Sequence, residues 1–254
     1  DIELQARTAG IFQKARRFEL EFQARATIWH ADPQPQNLVQ AMRSARLSGM
    51  PSDSLTLLNQ GLSKLPNTLP TIEALQEEAE FTFLILRNYH EAVQLFEKWL
   101  EVCKNDHTEQ AVALRDALQD KLIVFLTYNG QFQQAATNLR ELYQNTPTHT
   151  LFPAYTLVRS LNIRGQFQQS LEILKDLINI IPLADIFLYT EYSFTLIASG
   201  QSPEAVEFVR QWQQQKPDAV NRQYVLMITL QRAGYWQQAL DLIRNQLKNK
   251  PADI

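Results

Sequence analysis

The residues best suited to chemistry lie around the single cysteine of the chain. Cys103, Asp106 and His107 place a thiol, a carboxylate and an imidazole within one short stretch. Such groups serve as metal ligands or as a nucleophile and its base, but either use needs a further ligand or an orienting partner. The other histidines are scattered, at positions 30, 90 and 149, and form no His-x-x-x-His pair. We therefore interpret this stretch as a helix end followed by a polar loop.

A second candidate is the acidic cluster of Glu77, Glu78 and Glu80. Paired carboxylates can act in general acid–base catalysis, but a solvated helix face explains the same spacing, and we favour that interpretation. The sequence contains no Walker loop, no GxSxG motif and no dinucleotide fingerprint. We predict no catalytic residue, no metal site and no cofactor, and hence a protein that is not an enzyme.

Composition sets the class of protein. The 254 residues are 45% hydrophobic and 20% charged, which is typical of a soluble, folded chain. A formal charge of −3 and a pI of about 5.9 argue against nucleic acid or anionic lipid as a partner. One cysteine excludes an internal disulfide, and no apolar run reaches the roughly 18 residues of a membrane span. The compartment stays open between the cytoplasm and, in a bacterium, the periplasm.

The start of the chain suggests processing. It begins at Asp1 without a methionine, and no signal-peptide pattern follows. We expect a processed chain or a fragment of a longer protein.

Glycine and proline reveal an internal period. Seven glycines is few for this length, and the last four are spaced 35, 35 and 34 residues apart, at positions 130, 165, 200 and 234. A proline follows each of them 17 positions later, and Gly49 with Pro66 repeats that offset. A fixed period in the mid-thirties is typical of a helical repeat array.

The residues after each glycine also repeat. An aromatic residue comes two positions later, a small residue five positions later and a large apolar residue nine positions later. The clearest copies are GQFQQAATNL (130–139), GQFQQSLEIL (165–174) and GYWQQALDLI (234–243). Looser copies are GQSPEAVEFV (200–209), RNYHEAVQLF (87–96), where Arg87 replaces glycine, and GMPSDSLTLL (49–58).

This pattern resembles the tetratricopeptide repeat over roughly residues 35–253. The resemblance implies an all-α, right-handed superhelical solenoid of antiparallel helix pairs, which we place in a repeat domain over 35–254. The predicted units lie near 35–68, 73–106, 116–149, 151–184, 186–219 and 220–253. The surplus residues at 65–71 and 104–110 are predicted to be loops.

Residues 1–34 match the repeat only weakly. AGIFQKA (9–15) echoes the turn, and we predict one long helix over 3–29, as an N-terminal helix or degenerate half repeat. With six helix pairs this makes thirteen helices.

Each conserved position of the repeat has a physical role. Glycine ends the first helix of a pair (helix A) because the residue after a helix favours the left-handed conformation. The small residue lets the second helix (helix B) approach closely. Proline cannot continue a helix and so separates one unit from the next. The small residues are Ser54, Ala92, Ala135, Ser170, Ala205 and Ala239.

In the tetratricopeptide family helix A lines the concave groove, so the resemblance implies that function lies there. The helix A side chains predicted to face the groove are Arg43, Arg46, Phe81, Lys121, Val124, Tyr128, Phe152, Tyr155, Arg159, Asn162, Phe187, Phe194, Tyr224, Ile228 and Arg232. Aromatic residues and arginine dominate interface energetics, and this set is rich in both. About a third of the set is expected to be core instead, because the frame can slip by one residue.

The co-chaperone variant of the family clamps a carboxylate with lysine and asparagine at set helix A positions. No such pair occurs at the equivalent positions of this chain, so binding of a chaperone tail is disfavoured. A variant clamp built from Arg43, Arg46 and Lys121 stays open.

Three functions are compatible with this sequence. The first is a scaffold or adaptor that binds a protein or peptide segment, or a second copy of the chain, in the groove. The second is a recruiting or regulatory module of a larger enzyme or of a secretion or envelope assembly. The third is an RNA-binding helical repeat, which the acidic pI and the absence of a repeating base-reading pair make the weakest.

Overall fold

The computed structural model describes residues 2–146, 150–181, 186–215 and 222–249, and every regular element in these ranges is an α-helix. The chain forms two compact units, Asp1–Gln131 and Phe132–Ile254. The first unit contains α1 (Ile2–Lys14), α2 (Phe18–Ala31), α3 (Pro35–Leu47), α4 (Pro51–Lys64), α5 (Leu69–Leu86), α6 (Tyr89–Cys103) and α7 (Glu109–Tyr128). The second contains α8 (Phe132–Asn145), α9 (Phe152–Ile163), α10 (Phe167–Ile180), α11 (Ile186–Ala198), α12 (Ser202–Gln215), α13 (Arg222–Arg232) and α14 (Trp236–Asn249).

The same turn ends helix A in each of the six helix pairs of the repeat, with Arg87 in place of glycine in the second pair. The glycines at 49, 130, 165, 200 and 234 all have φ between 72° and 85°, as their position after a helix predicts. The next residue donates its backbone N–H to the carbonyl five positions earlier, as from Gln166 to Leu161 at 2.9 Å. This bond satisfies a carbonyl that the helix end would otherwise leave open. The periodic glycines are therefore explained by backbone geometry.

The N-terminal segment departs from the prediction. It forms two helices, α1 and α2, instead of one helix over 3–29, so the described residues contain fourteen helices and not thirteen. Arg16 occupies the glycine position of the turn with φ 54°, and Arg17 N–H donates to the Phe12 carbonyl at 2.8 Å. The similarity of AGIFQKA (9–15) to the turn sequence was misleading, because Gly10 lies inside α1 and not at a turn.

The surplus residues between units mostly lengthen helix A. α5 begins at Leu69 and has 18 residues, and α7 begins at Glu109 and has 20. The predicted loops at 65–71 and 104–110 are thus only partly correct, and the unit starts near 73 and 116 lie inside helices. Thr108 caps α7, because its side chain accepts the Ala111 N–H at 3.3 Å.

The predicted core positions of helix B are confirmed except in the last repeat. The small residues Ser54, Ala92, Ala135, Ser170, Ala205 and Ala239 are all buried. Four positions further on, Leu58, Phe96, Leu139, Leu174 and Val209 are fully buried, whereas Ile243 of α14, which we expected in the core as well, is only partly buried. Pro66 follows the end of α4, whereas the later prolines of the pattern, at 147, 182, 217 and 251, lie outside the described residues. None of the described helices is long and apolar enough to cross a bilayer.

Candidate functional site

The cysteine stretch is structural. Cys103 is the last residue of α6 and is buried, and this burial raises the pKa of its thiol, although the charge of Arg115 opposes the shift. Arg115 donates to the carbonyls of Cys103 and Asp106 at 2.7 and 2.8 Å and fixes the polar loop between them. A thiol with a raised pKa is a poor nucleophile at neutral pH. Among the described residues no cluster of His, Cys, Asp or Glu is suited to hold a metal ion.

In the acidic cluster of α5, Glu78 and Glu80 pair with basic residues of neighbouring helices, whereas Glu77 is exposed. The side chain of Glu78 is only 1% exposed, so the interpretation as a solvated face is wrong for this residue. Arg43 Nε donates to Glu78 Oε1 at 2.9 Å, and Arg46 donates to both carboxylate oxygens at 3.1 Å. Glu80 pairs with Lys121 of α7. These contacts join α3, α5 and α7 by charge-assisted hydrogen bonds.

Of the predicted aromatic residues of the first unit, Phe81 contacts this ionic network and Tyr128 contacts another aromatic ring. Phe81 lies under the guanidinium of Arg46, with 4.7 Å from the guanidinium carbon to the ring centroid. Tyr128 lies beside Tyr89, with 5.3 Å between ring centroids. Val124, which we expected on the groove, is buried instead. We call Arg43, Arg46, Glu78, Glu80, Phe81 and Lys121 the paired face, because every charge in it has an opposite charge beside it.

The second unit presents a different helix A surface, which we call the aromatic face. It consists of Phe152, Tyr155, Arg159 and Asn162 of α9, Phe187, Glu191 and Phe194 of α11, and Tyr224, Ile228 and Arg232 of α13. The predicted members of this face are half-buried or exposed. Phe152 is 58% exposed and Tyr224 is 57% exposed.

Direct contacts join α9 and α11 on the aromatic face. The rings of Tyr155 and Phe187 meet edge to face with centroids 5.2 Å apart, and Asn162 Nδ2 donates to Thr195 Oγ1 at 2.8 Å. Arg159 donates to the Tyr155 hydroxyl and lies 5.5 Å over its ring. The geometry holds these side chains in place while leaving one side of them open to solvent.

α11, α13 and the start of α14 surround a cleft of about 550 Å³. Its lining residues are Phe194, Tyr224, Ile228, Gln231, Arg232 and Trp236. The guanidinium carbon of Arg232 lies 3.8 Å from the centroid of the Phe194 ring. Arg232 makes no hydrogen bond or ion pair within the described part of the chain. The cleft therefore combines an apolar lining with an arginine whose N–H groups are available.

Glu191 interacts electrostatically with both arginines of the aromatic face. Burial raises the pKa of its carboxyl, and the positive charges of Arg159 and Arg232 only partly oppose that shift. The burial of the charged form therefore outweighs the attraction of the arginines. Its side chain makes no hydrogen bond to another described residue.

The helical pattern matches known structures. A crystal structure of PilW, described as a widely conserved type IV pilus biogenesis factor, aligns with 89% of this chain and 98% of its own at 16% identity and a TM-score of 0.50. A tetratricopeptide repeat protein from Parabacteroides merdae aligns with 96% and 97% at 14% identity and a TM-score of 0.49. The chain has a tetratricopeptide-like helical repeat fold. No family model and no curated protein matches its sequence.

Sequence reasoning missed two residues of this tetratricopeptide-like protein, Glu191 and Trp236, and it missed the ion pairing of Glu78. Glu78 and Glu191 both lie nine positions before the turn residue, at Arg87 and Gly200, and both are next to arginines of adjacent helices. Trp236 is in the aromatic position after the last turn and is 59% exposed, whereas Phe132 at the same position is buried. Aligning the repeats on their turn residues would have shown that Glu78 and Glu191 occupy the same position. The exposure of Trp236 has no such signal in the sequence, because Phe132 at the same position is buried.

Proposed function

We propose that this protein is a non-catalytic scaffold that binds a segment of a partner protein along the aromatic face. The tetratricopeptide-like fold points to protein–protein interaction in general. The observation that supports the proposal most is the exposure of Phe152 and Tyr224 beside Arg159 and Arg232. Large aromatic side chains in contact with water are unfavourable, and together with arginine they provide most of the binding energy in protein interfaces.

The contrast with the paired face supports this choice of surface. Arg43, Arg46 and Lys121 are held by Glu78 and Glu80, so a partner carboxylate would have to displace an existing ion pair. Such an exchange gains little free energy. We therefore assign partner binding to the second unit, and assign to the paired face the role of joining α3, α5 and α7.

Site-specific photo-crosslinking in the cell that produces the protein tests this proposal. A photoreactive phenylalanine analogue replaces Tyr155 or Tyr224 on the aromatic face. The same analogue at Glu172, an exposed position of α10, serves as the matched control. The replacements at Tyr155 and Tyr224 each keep an aromatic ring on the aromatic face, so the fold and the apolar contacts are retained.

We expect one discrete crosslinked partner from positions 155 and 224, identified by mass spectrometry, and none from position 172. Crosslinking of the same partner from position 172 with equal yield would contradict the assignment to the aromatic face. Absence of any adduct at 155 and 224 would contradict it as well.

A further inference from the structure

We infer that the cleft between α11, α13 and α14 binds an acidic peptide segment in which a bulky apolar side chain lies next to a carboxylate. This inference rests on the proposed function and names the chemistry of the partner. It is carried by the shape and lining of the cleft and by the charges around it.

The cleft is suited to a large apolar side chain. Its volume of about 550 Å³ lies within the range of about 300–1,000 Å³ that is usual for ligand sites. Phe194, Tyr224, Ile228 and Trp236 provide aromatic and aliphatic walls from three helices. Tyr224 and Trp236 are both more than half exposed, so an inserted apolar group would remove much apolar surface from water.

The charges around the cleft favour a carboxylate on the partner. Arg232 lines the cleft, and its N–H groups make no hydrogen bond to another described residue. Glu191 of α11 is the acidic group that interacts with the charge of Arg232, and burial raises the pKa of its carboxyl. Asp241 of α14 already accepts from Gln237 at 3.1 Å and pairs with Arg244 at 3.5 Å. A partner carboxylate at the cleft would thus meet the guanidinium of Arg232, a group that binds carboxylates with directed hydrogen bonds.

The same charges disfavour a basic segment. A lysine next to the inserted side chain would face Arg232, and repulsion between like charges would lower the affinity of the peptide. The inference therefore predicts a preference between two peptides that differ only in the sign of their charge.

Trp236 makes occupation of the cleft measurable. Of the four tryptophans in the chain, Trp29, Trp99 and Trp212 are buried, whereas Trp236 is 59% exposed at the cleft. A peptide that covers Trp236 will transfer its indole from water to an apolar environment. We expect a shift of the tryptophan emission to shorter wavelength that saturates with peptide concentration.

The test uses three short synthetic peptides and the full chain. In the first, Phe and Leu alternate with Glu. In the second, Lys replaces Glu, and in the third, Ser replaces Phe and Leu. We expect the first peptide to bind about ten-fold tighter than either of the others, which corresponds to about 1.4 kcal/mol. Its affinity should fall as salt is added, because the attraction is electrostatic in part.

Variants identify the groups responsible. Arg232→Gln should abolish the preference for the Glu peptide over the Lys peptide, and Tyr224→Ala should weaken the binding of both. Lys175→Gln, which removes a positive charge at an exposed position of α10 that does not line the cleft, should leave all three affinities unchanged. Circular dichroism confirms that each variant keeps its helicity.

Equal affinity for the Glu and Lys peptides, or an unchanged preference in Arg232→Gln, would overturn the inference. So would a lack of emission shift with every peptide up to millimolar concentration. These outcomes leave the photo-crosslinking from positions 155 and 224 unaffected, because that experiment requires only that some partner lies on the aromatic face. A failure of the partner chemistry is therefore distinguishable from a failure of the proposed function.

Discussion

Two carboxylates at the same repeat position have different surroundings. Glu78 accepts hydrogen bonds from two arginines of α3 and is almost completely buried. Glu191 interacts with the charges of Arg159 and Arg232 but makes no side-chain hydrogen bond to a described residue. Burial of a charge is tolerated when hydrogen bonds compensate for lost hydration, as they do at Glu78. At Glu191 the compensation is smaller, and this difference has a measurable consequence.

Glu191→Gln should change how stability depends on pH. The pKa of Glu191 is raised above its ordinary value of 4.5, so the folded state binds more protons than the unfolded state between these two pKa values. Its contribution to stability is fully present below pH 4.5 and is lost as pH rises through the pKa of the folded state. Removing this titration should flatten the decrease and make the variant more stable than the parent at neutral pH.

Thermal unfolding at a series of pH values measures this effect. Glu172→Gln, at an exposed position of α10, is the matched control and should leave the curve unchanged. A Glu191→Gln curve that runs parallel to that of the parent across the whole series would contradict the raised pKa.

Part of the residue-scale picture was predictable. Arg43, Arg46 and the acidic residues of α5 were recognised individually, but their pairing was not. Arg43 and Glu78 are 35 residues apart, one repeat length, so the repeat itself brings α3 against α5. The exposure of individual side chains was harder to predict. Val124, Phe81 and Phe194 all lie six residues before the turn residue of their repeat, yet only Val124 is buried. Burial at such a position depends on the helix lengths of neighbouring units.

At the scale of helices, two glycines inside helices have opposite surroundings. A Cβ atom at Gly61 of α4 would lie 2.1 Å from Leu38 Cδ2, and Leu38 is fully buried. A Cβ atom at Gly10 of α1 would meet nothing within 4 Å. Gly61 therefore permits the close approach of α3 and α4, whereas Gly10 has no packing role that would require glycine.

Gly61→Ala should destabilise the protein by about 1–3 kcal/mol, because Leu38 must leave its well-packed position. Gly10→Ala should stabilise it by about 0.5–1 kcal/mol, because alanine has less conformational freedom to lose on folding. Denaturant titrations followed by circular dichroism give both values. A Gly61→Ala variant as stable as the parent would show that α3 and α4 have room to separate at this point.

The helices themselves were largely predictable, because glycine, the small residue and the aromatic residue fix each turn by backbone geometry and packing. The turn at Arg16 was missed since arginine seldom adopts a left-handed conformation, although Arg87 takes it in the same way. The starts of α5 and α7 were missed because the surplus residues had no strong loop signal and continue the helix instead.

At the scale of the whole molecule, the net charge predicts that the protein does not bind nucleic acid. A formal charge of −3 and a pI of about 5.9 give no general attraction to phosphate, and the arginines of the paired face are neutralised by carboxylates. We expect no retention of mixed-sequence RNA in a filter-binding assay at low salt. Retention that weakens steadily as salt is added would contradict this expectation and favour an RNA-binding repeat.

The most direct test of the central claim separates binding from packing on the aromatic face. It measures melting temperature and affinity for the crosslinked partner on the same preparation of the double variant Tyr155→Ala, Arg159→Ala. Arg46→Ala in the paired face is the control: it should lower the melting temperature, because it leaves Glu78 less well paired, without changing the affinity of the folded protein. We predict that the double variant loses about 2–4 kcal/mol of binding free energy while its melting temperature stays close to that of the parent. A clear drop in melting temperature with unchanged affinity per folded molecule would contradict the claim, because it would mean that these side chains serve packing alone.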